Sequence, residues 1–174
     1  MTQSASPPPE LRAIALAAVA GDAAALTAYL ATFREGRQLR GLHMGATLGV
    51  ETLDVAVNRV TMRMPWRPEL RRGGDIFHGG AIMALADHVA GCVFHTDPRT
   101  AAANETGLTT DFSVSFLHAL PPGEALVACG SVLRRGRNVT FIQVDVRGEA
   151  SESAVAACRA TYLTTSREKL KKRG

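Results

Sequence analysis

Two features of this chain could do chemistry: a lone acid inside an apolar helix, and a run of glycines that leads into the same helix. The segment reads Gly73-Gly74-Asp75-Ile76-Phe77-His78-Gly79-Gly80-Ala81-Ile82-Met83-Ala84-Leu85-Ala86-Asp87-His88-Val89-Ala90-Gly91. Gly79 to His95 has helical length and is apolar nearly all round. Asp87 lies two turns in, among Met83, Ala84, Leu85, Ala86, Val89, Ala90 and Val93. Burying an unpaired carboxylate is costly or raises its pKa. Asp87 therefore either caps a neighbouring loop or pairs with an arginine, or it acts as a general base or nucleophile. The glycines allow close approach to the backbone. The first turn of a helix offers unpaired N–H groups and partial positive charge, suited to an anion or a developing oxyanion. A plain loop-to-helix junction needing positive φ explains the same glycines.

Spacing adds a constraint. Gly79 and Asp87 are eight residues apart, about 12 Å along a helix. One reacting carbon cannot touch both ends of that span. If both act on one substrate, the second must come from another subunit, which implies a homodimer with two equivalent composite sites.

The elements that must position these residues follow from pattern. Residues 1–9 are polar with three consecutive prolines and read as a disordered tail. Glu10 to Arg34 reads as helix broken near Gly21–Asp22, with Asp22 capping a second helix over Ala23 to Arg34. Residues 10–40 thus form a helical extension, with Gly36 to Gly45 as a connector. Thr47 to Val55 and Arg59 to Met64 alternate as a hairpin, and Pro65 to Phe77 is a loop. After the helix, Asp97–Pro98 and an Ala-rich stretch stop it. Four strands follow over Gly107–Leu117, Ala125–Arg134, Asn138–Gly148 and Ser153–Thr164. A helix without a polar face must be enclosed. A curved antiparallel sheet wrapped around it satisfies both elements, which predicts an α+β fold.

Composition excludes several classes. The chain has 174 residues and a net charge of +4, one domain with appended sequence. The tail from Arg167 to Gly174 holds five basic residues and one acid, Glu168, which equals the whole net charge. The basic character is a solvated tail at residues 166–174 rather than a stripe across the fold, so nucleic acid is not expected as a partner. No apolar run reaches spanning length and no signal-peptide pattern opens the chain, so a cytoplasmic protein without a membrane span is expected. Cys92, Cys129 and Cys158 make no CxxC spacing and read as reduced, buried small hydrophobes. His78, His88 and His95 lack an i, i+4 metal spacing, so no metal is expected, and no cofactor motif occurs. His88 reads as a core or interface histidine.

His78-Gly79-Gly80 followed by Leu85-Ala86-Asp87, with nine residues from His78 to Asp87, resembles the PaaI-type hotdog acyl-CoA thioesterases. The resemblance extends over residues 41–165 and includes Thr109-Thr110-Asp111-Phe112-Ser113-Val114-Ser115-Phe116 and the turn Arg134-Arg135-Gly136-Arg137-Asn138. It implies a hotdog fold, a long central helix wrapped by a curved antiparallel sheet, whose subunits pair their sheets as a homodimer or a dimer of dimers. It implies acyl-CoA as substrate, hydrolysed to acid and CoA. The Gly79 amide, beside His78 and Gly80, would polarise the thioester carbonyl. Asp87 of the partner chain would activate water or attack directly, and Thr109 would assist the water. Arg134, Gly136, Arg137 and Asn138 would lie near the CoA nucleotide, where arginines suit phosphates; an exposed hairpin turn explains them equally.

One position departs from the family pattern. An ungapped match puts Arg72 where many members carry Asn or Gln, and Arg cannot accept a hydrogen bond as an amide oxygen can. Arg72 would instead bind the carbonyl or a CoA phosphate. It also keeps open a non-catalytic acyl-CoA binding or sensing module. A hotdog hydratase needs a paired His and acid, and no clear motif for one is present.

Overall fold

The computed structural model describes residues 7–34 and 44–171. Among the described residues, six α-helices and six strands follow one another: α1 (Pro9–Val19), α2 (Ala23–Arg34), α3 (Met44–Leu48), β1 (Glu51–Ala56), β2 (Arg59–Met64), α4 (Gly79–His95), α5 (Pro98–Ala102), β3 (Glu105–Phe116), β4 (Leu126–Arg135), β5 (Val139–Gly148), β6 (Ala154–Ser166) and α6 (Arg167–Lys171). The strands form one antiparallel sheet in the order β1-β2-β4-β5-β6-β3. Its concave face wraps α4. This is the hotdog fold expected from the sequence, with an added N-terminal helical segment.

Alternation decides which face meets the helix. Ile142, Val144 and Val146 of β5 are buried while Phe141 and Asp145 are exposed. Val60, Met62 and Met64 of β2 and Ala156, Cys158, Ala160 and Tyr162 of β6 complete the inner face. Period-two burial is what a strand with one packed face requires. Against it α4 buries Leu85, Ala86, Val89, Ala90, Val93 and Phe94. The helix comes so close at Gly130 of β4 that a Cβ there would stand 2.8 Å from both Val89 and Val93.

The enclosure is one-sided. Gly80, Met83 and Asp87 of α4 are exposed, with Ala84, His88 and Gly91 part-buried beside them. These positions recur at helical spacing and form a stripe along the face away from the sheet. One chain therefore does not bury the helix all round, and Asp87 is an exposed acid, because a single curved sheet covers only one side.

The extension breaks at Gly21, with φ of 100°, and Asp22 Oδ1 accepts from Ala25 N at 3.0 Å, as the sequence suggests. α1 packs on α2 and α5, and α2 on β1. Tyr29 donates to the carbonyl of His95 at 2.7 Å, tying α2 to the end of α4. Asp97, 2% exposed, caps α5 through Arg99 N and pairs with Arg99 and with Arg135. Burial opposes that charge, but the Arg99 side-chain and backbone hydrogen bonds and the nearby Arg135 outweigh it and hold the carboxyl below its usual range.

Several elements differ from expectation. Residues 44–48 are helical rather than strand or connector, and β1 begins at Glu51. Val50 N donates to Gly45 O, closing the helical turn first. The Ala-rich stretch after Pro98 is the helix α5 rather than a simple stop, since Asp97 provides its cap. Arg167 is not a solvated tail residue. It opens α6, its backbone donates to Asn104 O, and its Nε donates to Glu105 O. Most of the connector over residues 36–45, part of the tail over 1–9 and residues 172–174 lie outside the described residues. Among the described residues, no helix is long and apolar enough to cross a membrane.

Candidate active site

α4 runs against β3, with Gly79 at its start beside Phe116 at the end of that strand and Asp87 at its middle beside Thr109. At the start, His78 is the N-cap. Its Nδ1 accepts from Gly80 N at 2.9 Å, which in a neutral ring leaves the proton on Nε2. Ala81 N and Ile82 N both reach the His78 carbonyl. Among the described residues no hydrogen bond engages Gly79 N, so Gly79 presents the remaining donor of the first turn. Neither Gly79 nor Gly80 has positive φ; those values fall at Gly74 (88°) and Asp75 (56°). Space explains the two glycines instead. A Cβ on Gly79 would stand 3.2 Å from the Phe116 ring, and one on Gly80 3.0 Å from the His78 ring.

Gly79 opens onto a cavity of about 430 Å³. Its walls are mostly apolar, with Ile76, Phe77, Ile82, Phe116 and Leu120 prominent and Arg72 included. The exposed Arg72 is held by its backbone N–H, which donates to Ile76 O at 2.9 Å. Arg72 and Gly79 therefore line the same cavity.

Asp87 faces a second cavity of about 400 Å³. Thr109 donates its hydroxyl to Asp87 Oδ1 at 3.1 Å. Tyr162 of β6 donates to the same oxygen at 3.3 Å and to the Asp87 carbonyl at 3.3 Å. Oδ2 has no hydrogen-bond partner among the described residues. Asp87 is neither a loop cap nor half of a salt bridge within these residues, so the structural alternatives raised by the sequence are not what is found. His88, Cys92, His95 and Thr106 line the same cavity, as do Phe33 of α2 and Arg167. The helical extension therefore supplies part of the wall.

Two of the other titratable groups there, Cys92 and His95, are neutral at neutral pH. Burial pushes the Cys92 thiol up to about 12, so it is no nucleophile. His88 Nε2 lies 3.9 Å from its sulfur. Burial first, then the charges of Arg167 and Arg135, holds His95 down at about 4, so this imidazole is neutral. Cys129, expected to be buried, is partly accessible and accepts from Thr61 at 3.5 Å.

Arg134, Gly136, Arg137 and Asn138 line neither cavity. Their turn joins β4 to β5, and all four are exposed. Arg134 lies in a separate groove with Asp111, Phe141 and Arg159. Arg135 turns inward, 4.8 Å from the Phe94 ring centre and donating to the Phe94 carbonyl at 3.0 Å.

Gly79 and Asp87 thus sit at separate cavities of one chain, and both border β3. Residues 74–155, which span the cap, α4 and strands β3 to β5, match the family model described as thioesterase superfamily. The chain has the hotdog fold, and over these residues it is similar to the thioesterase superfamily. Human acyl-coenzyme A thioesterase 13 is 26% identical over 115 residues, 66% of this chain and 79% of its own length. The Escherichia coli PaaI protein of the phenylacetic acid degradation operon superposes with a TM-score of 0.70 at 15% identity, covering 79% of this chain and 95% of its own. A hypothetical thioesterase protein of Streptococcus pneumoniae, solved with coenzyme A, gives a TM-score of 0.59 at 20% identity over 67% of this chain and 86% of its own.

Two residues of the site were not read from sequence. Tyr162 stands on β6 directly across from Thr109, and Phe33 arrives from the extension. A tyrosine following the small inward residues Cys158 and Ala160 is a signal in the sequence, but only the β3–β6 register reveals its partner.

Proposed function

We propose that this protein is an acyl-CoA thioesterase whose two active sites each combine Asp87 of one protomer with the Gly79 amide of the other. One observation carries the reading: the Asp87 carboxylate has donors on one oxygen only and stands on an open helical face beside β3. β3 is a twelve-residue edge strand with one side unpaired among the described residues. Such an edge invites pairing. If β3 pairs antiparallel with its mate about a twofold axis near Phe112, Thr109 runs toward the partner subunit's Phe116. Asp87 lies by Thr109 and Gly79 by Phe116, so this pairing closes the roughly 12 Å between them.

In the reaction, the thioester carbonyl oxygen would accept from Gly79 N–H at the positive end of α4. Asp87 would take a proton from water as hydroxide adds to the carbonyl carbon, or its Oδ2 would add directly to give an anhydride that water then opens. The tetrahedral oxyanion collapses, the C–S bond breaks, and the CoA thiolate leaves and takes up a proton. Thr109 orients the carboxylate in either route. Arg72, at the rim of the Gly79 cavity, would meet a CoA phosphate or the carbonyl. The named relatives, one an acyl-coenzyme A thioesterase and one solved with coenzyme A, support this substrate class.

The test is hydrolysis of a panel of acyl-CoAs by wild type and Asp87→Asn, with oligomeric size measured for both. The variant should keep its size and lose about 10²- to 10⁴-fold in kcat, the range for a positioned acid or base. An undiminished rate would end the assignment. Tight acyl-CoA binding by a wild type that never turns over would favour the binding-module reading.

A further inference from the structure

Building on the catalytic role proposed for Asp87, we infer that Tyr162 is a positioning residue for that carboxylate, holding Oδ1 so that Oδ2 faces the substrate.

Tyr162 lies at the inner face of β6 and is 4% exposed. Its ring stacks on Phe94, with centres 5.6 Å apart and planes 20° apart. Two glycines leave room for it. A Cβ on Gly107 would stand 2.7 Å from Tyr162 Cδ1, and one on Gly91 3.4 Å from the phenol oxygen. A ring clamped in this way carries its hydroxyl to one place, the Asp87 carbonyl and Oδ1, both at 3.3 Å. Thr109, paired with Tyr162 across the sheet, reaches the same Oδ1 at 3.1 Å. Two strands thus fix one carboxylate oxygen, while its twin has no partner among the described residues and the residue lines the cavity.

The hydroxyl is a dependable donor. Burial raises the phenol above its usual range, a hydrogen bond with Thr109 opposes this, and the Asp87 charge reinforces it. Tyr162 therefore stays protonated across the working pH of an enzyme. It touches no reacting atom in this scheme and acts through Asp87.

The experiment is a double-mutant cycle of Tyr162→Phe with Asp87→Asn, read as kcat and KM on acyl-CoA at high enzyme concentration, with Tm for each variant. Phenylalanine keeps the stack on Phe94 and removes only the hydroxyl. Tyr162→Phe should lower kcat about 10- to 100-fold, as for one hydrogen bond to a charged group, with little change in KM. In the Asp87→Asn background the same change should cost no further rate. An unchanged kcat, or an equal loss in both backgrounds, overturns the inference. A wild type that hydrolyses no acyl-CoA overturns the thioesterase reading itself, a result distinct from either.

Discussion

The two ends of α4 solve different problems. The Gly79 end is built from small residues and a capped turn, and it sets beside an apolar cavity an N–H that has no partner among the described residues. The Asp87 half is polar and held, its carboxylate pinned by hydroxyls from β3 and β6 and its surroundings closed by Phe33 and His95. One end presents backbone and the other presents a side chain. A site for a developing oxyanion needs only a fixed amide. A site for a base or nucleophile needs a side chain whose orientation other groups enforce. The helix length keeps the two apart in one chain, and under the proposed reading they serve one substrate from two chains.

The sharpest way to break this comparison is to remove the amide without touching its surroundings. Gly79 is the first helical residue, where proline is tolerated and its missing N–H costs no helix hydrogen bond. The tight neighbour of its Cβ is Phe116, which is 52% exposed and can move. Gly79→Pro should therefore fold, keep its oligomeric size and lose about 10²- to 10³-fold in kcat. A rate within a factor of two of wild type would show that the amide does nothing.

A smaller effect tests how the helix is seated between its two ends. Gly130→Ala puts a methyl against Val89 and Val93, both β-branched and fully buried. Overpacking of that kind costs about 1–3 kcal/mol. Thermal unfolding should show the loss, and an unchanged Tm would mean the helix seat is softer than the contacts imply.

A third test reads the Asp87 half by pH. His95 is held at about 4, against 6.5 for the free side chain. Its folded pKa is depressed, so the unfolded chain takes the proton first. Stability from this group is complete above pH 6.5 and is lost as pH falls toward 4. The slope is at most about 1.4 kcal/mol per pH unit. Urea unfolding between pH 7 and 4 should show this decline for wild type, and His95→Gln should flatten it.

Much of this arrangement was legible in the residues. The bounds of α4, the break at Gly21–Asp22 and the second strand of the hairpin all carry local signals: a cap, a glycine, an alternation of apolar and polar side chains. What was not legible depends on register or on distance along the chain. Tyr162 meets Asp87 across 75 residues, and Phe33 reaches the cavity from an extension whose pattern says only that it is helical. The open face of α4 was missed because glycine and alanine count as apolar in a pattern yet leave a groove in space. Residues 44–48 went astray because Thr47 and Leu48 suit a strand while Val50 N–H finds the Gly45 carbonyl first. The arginine turn was assigned by likeness alone, and its inward member, Arg135, is occupied with Phe94 and Asp97.

The claim that the active sites are shared is tested most directly by mixing two dead proteins. Asp87→Asn and Gly79→Pro chains, refolded together in equal amounts, would pair at random. Half the dimers would then be mixed, and each mixed dimer would hold one site with both groups intact. Acyl-CoA hydrolysis should recover to roughly a quarter of the wild-type rate. A mixture no more active than its parents would contradict the shared site.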